Sequence, residues 1–161
     1  MSQIVAYQQV PVFMRRLRTN KEIKIAFTNG CFDLLHRGHV EYLEQARAVA
    51  DFLFVGLNSD ASVRRLKGSG RPLMSADDRA YILSRLRAVD AVCIFEQDTP
   101  FELIQMVRPD FLIKGGDYRV EDIVGRDFVE SYGGQVHTIP LIPGRSTTGI
   151  IEKIKSQLTN K

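Results

Sequence analysis

Cysteine and histidine are scarce in this chain, and long apolar runs are missing. The two cysteines, Cys31 and Cys93, are too few for a disulfide framework. Cys93 lies in "AVCIF" and reads as a small buried hydrophobe. No apolar run approaches the roughly 18 residues that a membrane span needs, so no membrane role is expected. The opening "MSQIVAYQQVPVFMRRLR" puts its charges after its apolar residues, the reverse of a signal peptide, and a cytoplasmic protein is the expectation. Charge of one sign is lacking too. The net charge is +3, and the basic residues are scattered among acidic ones. That pattern excludes a nucleic-acid stripe and leaves room for a local anion site. There is no repeat, low-complexity tract or linker.

What is present suits one folded domain. The chain has 161 residues, of which 44% are hydrophobic and 25% charged. A single domain over residues 1–161 is expected, with 1–22 as an N-terminal extension packing on the core.

Strand and helix patterns alternate. "IKIAFT" (23–28), the continuous apolar run "FLFVGL" (52–57), "AVCIF" (91–95), "DFLIK" (110–114) and "QVHTIPL" (135–141) read as strands. Helices are predicted over 39–50, 60–67, 75–89, 99–109, 126–134 and 146–158. Ser75 with Asp78 makes a capping-box-like start. Thr99 is the predicted N-cap of the fourth helix, with Pro100 at its first position and Glu102 closing a capping box. Gly133 and Gly134 stop the fifth helix, and Ser146 caps the last. The alternation predicts an α/β fold of Rossmann-like, three-layer type, a parallel sheet with helices on both faces. Such sheets bind ligands beyond the carboxyl ends of their strands, where three chemically biased loops fall: after Thr28, after Lys114 and after Leu141.

The first loop is "TNGCFDLLHRGH". Gly30 and Gly38 let backbone approach a ligand closely. Free N–H groups and the helix dipole favour an anion there. His36 and His39 are three apart, so they share one face of a helical turn. The chain has only three histidines, and two of them sit at this helix mouth. The loop is neither a P-loop, which needs a following Gly-Lys-Ser/Thr, nor a G-x-G-x-x-G turn. A zinc site on Cys31, His36 and His39 is an alternative with a weak third ligand. A pair of structural core histidines is another.

The last loop, "PGRSTTGII", offers Arg145 and the hydroxyls of Ser146, Thr147 and Thr148 at a helix start, more than an N-cap requires. The middle loop, "KGGDY", combines Lys114, two glycines and Asp117. "RRLKGSGRPLM" places Lys67 and Arg71 around mobile glycines, either as a plain solvated loop or as one that closes over phosphates.

"NGCFDLLHRGH" with "RSTTGII" resembles the nucleotidyltransferases that carry an H-x-G-H signature and an S-T-T signature near the C-terminus. The stretches "FTNGCFDLLHRGHVEYLEQAR", "VGLNSDASVRRLKGSGRP", "DTPFELIQMVRPDFLIKGGDY" and "STTGIIEKI" are similar to the branch that makes ADP-heptose from D-glycero-β-D-manno-heptose 1-phosphate. That product feeds lipopolysaccharide or related glycans. The resemblance implies ATP as substrate with Mg2+ bridging its phosphates, a sugar 1-phosphate as acceptor, and a homo-oligomer without nucleic-acid or membrane partners. It implies no protein-held metal. His36 and His39 would hold ATP phosphate oxygens, with Lys67 as a mobile cation. Thr28, Asn29, Gly30, Phe32 and Gly38 would line the nucleotide pocket, and Ser146, Thr147 and Thr148 would cradle the β- and γ-phosphates. Asp33, Arg71, Arg79, Lys114 and Asp117 would contact the sugar phosphate or close a loop. Domains of this branch resemble the second half of a bifunctional protein fused to a sugar kinase, so a standalone enzyme or an excised domain is expected. Arg145 before the serine keeps cytidylyl transfer to glycerol 3-phosphate as a second reading. A nucleotide-binding module without turnover is a third.

Overall fold

Five apolar segments form parallel strands in the computed structural model, which describes residues 3–116, 118–140 and 142–159. They are β2 (Ile25–Gly30), β3 (Phe52–Asn58), β4 (Ala91–Phe95), β5 (Phe111–Gly115) and β6 (Gln135–Ile139). A short β1 (Gln3–Ile4) pairs with β4, giving the order β1-β4-β3-β2-β5-β6. Successive strands run outward from β2 to β4, and the chain then crosses back to put β5 on the other side of β2. That reversal opens a crevice at the carboxyl ends of β2 and β5.

Side chains alternate across the sheet, so each face buries its own core. On one face Ile25, Phe27, Phe54 and Cys93 pack with Leu103, Ile104 and Val107 of α5 (Phe101–Val107) and Val129 of α6 (Arg126–Ser131). Val5 and the α1 (Val10–Leu17) residues Val10 and Met14 are buried in the same cluster. On the other face Ala26, Leu53, Val55 and Leu57 meet Tyr42, Leu43 and Ala46 of α2 (Arg37–Ala48) and Ala80 and Leu83 of α4 (Ala76–Leu83). Helices α3 (Asp60–Lys67) and α7 (Thr147–Thr159) and two 3-10 turns, Tyr7–Gln9 and Val120–Asp122, complete the described elements. Among the described residues, no helix is long and apolar enough to cross a membrane.

Three aspartates fasten the amino edge of the sheet. Asp110 accepts from the Ile25 amide at 3.0 Å, and Asp90 from that of Leu53 at 2.8 Å. Asp51 accepts from the Lys24 amide at 2.8 Å. The strand starts are thereby pinned, and the chemistry is left to the opposite edge.

Some boundaries differ from the sequence pattern. β2 extends to Gly30 because Asn29 and Gly30 pair with Gly56 and Leu57 of β3. α4 ends at Leu83 rather than near Val89, since three-residue turns replace helical bonds at Arg85, Leu86 and Val89. α5 starts at Phe101 with Pro100, not Thr99, as N-cap, and no side chain caps it. The Thr99 hydroxyl reaches the Phe101 amide only at 3.5 Å, and Arg108 ends the helix in a left-handed conformation. Ser75 and Ser146 do cap α4 and α7, accepting from the amides of Asp78 and Gly149. The predicted end of the last strand, Leu141, lies outside the described residues.

Candidate active site

The loop from Cys31 to His36 leaves β2 at the crevice and turns sharply. Phe32 and Leu34 both take positive φ angles, 45° and 49°, without being glycine. Such conformations cost of order 1–3 kcal/mol each and persist where surroundings enforce them. The enforcement here is burial: Phe32 and Asp33 are both enclosed. The loop delivers His36 as the N-cap of α2.

The His36 and His39 rings stack at 3.9 Å between centroids. The His36 backbone amide donates to His39 Nδ1 at 3.4 Å, and the Phe32 ring meets His39 edge-on. An accepting Nδ1 leaves Nε2–H of a neutral His39 as the donor. His36 Nδ1 is buried and has no hydrogen-bond partner among the described residues. Gly38 is required by close approach. A Cβ there would lie 3.1 Å from the His36 ring and 3.2 Å from Arg145 Cβ.

Burial and neighbouring cations keep both imidazoles neutral. Desolvation, then the charge of Arg145, holds His36 below its usual range. Desolvation and then His36 bring His39 down to about 4. Lys67, at the C-terminal end of α3, is exposed and close enough to act on the Cys31 thiol. Burial nonetheless outweighs Lys67, Arg79 and Arg71 and pushes that thiol up. A protonated thiol is a poor zinc ligand. Among the described residues no group of three His, Cys, Asp or Glu side chains is placed to hold a metal. The arrangement suits a polyanion: neutral N–H donors, a helix N-terminus and cations, with the carboxylate of the same loop turned away.

That carboxylate is Asp33. It is 2% exposed and accepts from Arg71 Nε at 2.6 Å and the amides of Leu73 and Met74 at 2.9 and 3.1 Å. Arg79 is 1% exposed, and its guanidinium donates to the carbonyls of Met74, Cys31 and Asn58 and to Asp60 Oδ1. Asp33, Arg71 and Arg79, expected on the sugar phosphate, are thus bonded inward. Thr28, expected to line the nucleotide, is fully buried with its hydroxyl 2.6 Å from Tyr42 Oη. Gly30 lies against the Phe32 ring, where a Cβ would come within 3.0 Å.

The S-T-T loop divides its hydroxyls. Ser146 serves as the N-cap, and Thr147 donates to the Asp33 carbonyl at 2.7 Å. Thr148 is exposed, and no bond of its hydroxyl is recorded among the described residues. Lys114 Nζ lies 3.4 Å from Asn29 Oδ1 and 5.4 Å from the Tyr118 ring centre. Desolvation is the main influence on this ammonium and pulls its pKa down. Asn29, Lys114 and Tyr118 line a pocket of about 100 Å³ with Leu112 and Ile123. Asp117 lies outside the described residues. The sequence pattern missed Tyr42, Asn58 and Asp60. The only available signal for Asn58 and Asp60 was a sudden polar run, "NSD", ending an apolar strand.

Comparison with known proteins agrees with this architecture. The family described as cytidylyltransferase-like matches residues 27–153. Bifunctional protein HldE of Trichlorobacter lovleyi is 56% identical over 138 residues, 86% of this chain and 28% of that protein. Its counterpart in Syntrophotalea carbinolica is 62% identical over 130 residues, 81% of this chain and 26% of that protein. The chain therefore spans about a quarter of the length of these relatives. Among solved structures, a lipopolysaccharide core biosynthesis protein from Thermoplasma volcanium shares the fold, with a TM-score of 0.62 and 23% identity over 74% of this chain and 97% of its own. A pantoate-beta-alanine ligase from Francisella tularensis, complexed with beta-gamma ATP and beta-alanine, does so with a TM-score of 0.64 and 16% identity, over 92% of this chain and 69% of its own. With the family match covering well over half of its length, this chain belongs to the cytidylyltransferase-like family.

Proposed function

We propose that the chain transfers the adenylyl group of ATP to D-glycero-β-D-manno-heptose 1-phosphate, yielding ADP-heptose and pyrophosphate. The observation that carries the transfer chemistry is the stacked pair His36 and His39 at the N-terminus of α2. The heptose assignment rests on the resemblance through "NGCFDLLHRGH" and "IKGGDY".

An acceptor phosphate has a second pKa near 6 and is anionic at neutral pH, so no general base is needed. Its oxygen forms the new bond to the α-phosphorus. The bond to the bridging oxygen breaks, and pyrophosphate leaves with that electron pair. The residues then have two tasks, alignment and charge neutralisation. His36 and His39 donate to phosphate oxygens as the α-phosphorus becomes five-coordinate. Gly30 and Gly38 make room for the Phe32 and His36 rings, which set the shape of the nucleotide pocket. Ser146 and Thr148 present the start of α7 to the outer phosphates, and Lys67 closes in from its glycine-flanked loop. Lys114 and Asn29 face the acceptor from the β5 side, with Asp117 assigned there as well. Thr28, Asp33, Arg71, Arg79 and Thr147 support this set from inside. The nucleotide's phosphates would hold a magnesium ion, which would supply further neutralisation of their charge.

Resemblance through Arg145 before the serine keeps cytidylyl transfer to glycerol 3-phosphate as the second reading. Pyrophosphate release decides between them, measured with ATP or CTP against heptose 1-phosphate and glycerol 3-phosphate. We expect kcat/KM for ATP with the heptose to exceed that for CTP by about tenfold or more, the equivalent of one unpaired buried polar group. Better use of CTP with glycerol 3-phosphate overturns the heptose reading. No turnover with any pair leaves a binding module.

A further inference from the structure

Asp33 ties together three loops of the site. Its own residue belongs to the histidine loop, between the two strained positions Phe32 and Leu34. Its carboxylate holds Arg71, Leu73 and Met74 of the lysine loop, and its carbonyl receives the Thr147 hydroxyl of the S-T-T loop. The lysine loop is also fixed at its other end. Arg79 binds Asp60 at the start of α3 and Asn58 just before it, and Lys67 ends that helix. Between Lys67 and Arg71 lie Gly68, Ser69 and Gly70, with the Arg71 amide donating to the Gly68 carbonyl at 3.1 Å. Gly68 sits at φ 94°, and a Cβ at either glycine would meet nothing within 4 Å. The arc between the end of α3 and the Asp33-held Arg71 is therefore three residues long.

We propose that Asp33 is a positioning residue: by tethering Arg71, Leu73 and Met74 to the histidine loop, it sets where Lys67 can close relative to His36 and His39. This rests on the adenylyl-transfer reading above. A carboxylate with three donors and almost no solvent is a fixed post, and a lysine at a helix end three residues short of Arg71 is held by it from the loop side. Without the post the arc lengthens past Met74, and Lys67 samples a larger volume.

The test compares Asp33→Asn, Arg71→Gln and Lys67→Met, singly and as the doubles Asp33→Asn/Lys67→Met and Arg71→Gln/Lys67→Met, in the whole chain. Asp33→Asn should lower kcat by about 10- to 100-fold, the scale on which ~1 Å misplacement acts. KM for ATP should move much less. If Asp33 acts through Lys67, the double variant should be no slower than Lys67→Met within about twofold, because residues that act as a unit are not additive. A full multiplicative loss in the double overturns the proposal. Hydrogen exchange gives a readout without turnover. In Asp33→Asn the Leu73 and Met74 amides should exchange faster while those of Val55 and Leu57 keep their protection. A uniform rise means global loosening and also overturns it. Should Asp33→Asn not fold, Arg71→Gln, which removes one of the three donors, decides by the same two measurements. Failure of the wild type to release pyrophosphate sinks the adenylyl-transfer reading instead, and the exchange pattern still decides whether the tether exists.

Discussion

The His39 ring lies parallel to within 23° of the His36 ring, 3.9 Å away, at the first turn of a helix. Two imidazolium ions cannot share that spacing cheaply in a partly buried site. The pair is therefore neutral until something anionic arrives.

A pH dependence follows. Both folded-state pKa values lie below the ordinary 6.5, His39 at about 4. The unfolded chain thus binds these protons first as pH falls. Stability from this pair is complete above pH 6.5 and is lost as pH drops toward 4. Melting temperatures at pH 7.5 and 5.0 should fall less between the two conditions for His39→Gln than for the wild type. Equal falls would contradict the assignment of this drop to the pair.

Removing either ring should damage turnover more than folding. His36→Ala and His39→Ala should each lower kcat by about 10²-fold or more, the usual scale for one lost transition-state donor. Their urea midpoints should stay close to the wild type. Loss of the folded state with either substitution would mark the rings as core histidines.

Gly38→Ala adds one carbon where two site residues already press. The new Cβ falls 3.1 Å from His36 and 3.2 Å from Arg145 Cβ, so the ring must shift. A drop in kcat/KM of about tenfold, near 1.4 kcal/mol, is expected. Wild-type kinetics would mean that ring position does not matter.

Thr28→Val tests a residue that the sequence pattern set on the nucleotide. Its hydroxyl faces Tyr42 in the core, so the substitution leaves Tyr42 Oη with only the Ile113 carbonyl at 3.5 Å. Unfolding free energy should fall by about 1–3 kcal/mol, the cost of a buried group left unpaired. KM for ATP should hardly change. A large rise in KM without loss of stability would return Thr28 to the nucleotide pocket.

The alternation of apolar runs and helical patterns was enough to foresee the parallel sheet, because strands buried on both faces leave a continuous signal. The histidine loop was legible for a similar reason: glycines and histidines at a strand–helix junction have few other uses. What sequence could not reveal was where polar groups spend their bonds. Asp33, Arg71 and Arg79 look the same whether they reach outward or inward, and all but one of their partners lie 19 to 48 residues away. Phe32 and Leu34 gave no sign of left-handed backbone, since neither is glycine. α4 stopped early because the chain tightens into turns before β4, a tertiary demand that helix periodicity does not encode.

The three aspartates at the amino edge have an evolutionary consequence. Asp110 and Ile25 exchange bonds both ways, as do Asp90 and Leu53, so strand register is set by contacts remote from the crevice. Mutations in the loops at the far edge can drift without sliding a strand. A lineage built on this scaffold can rewrite "KGGDY" while the foundations of the sheet stay as they were.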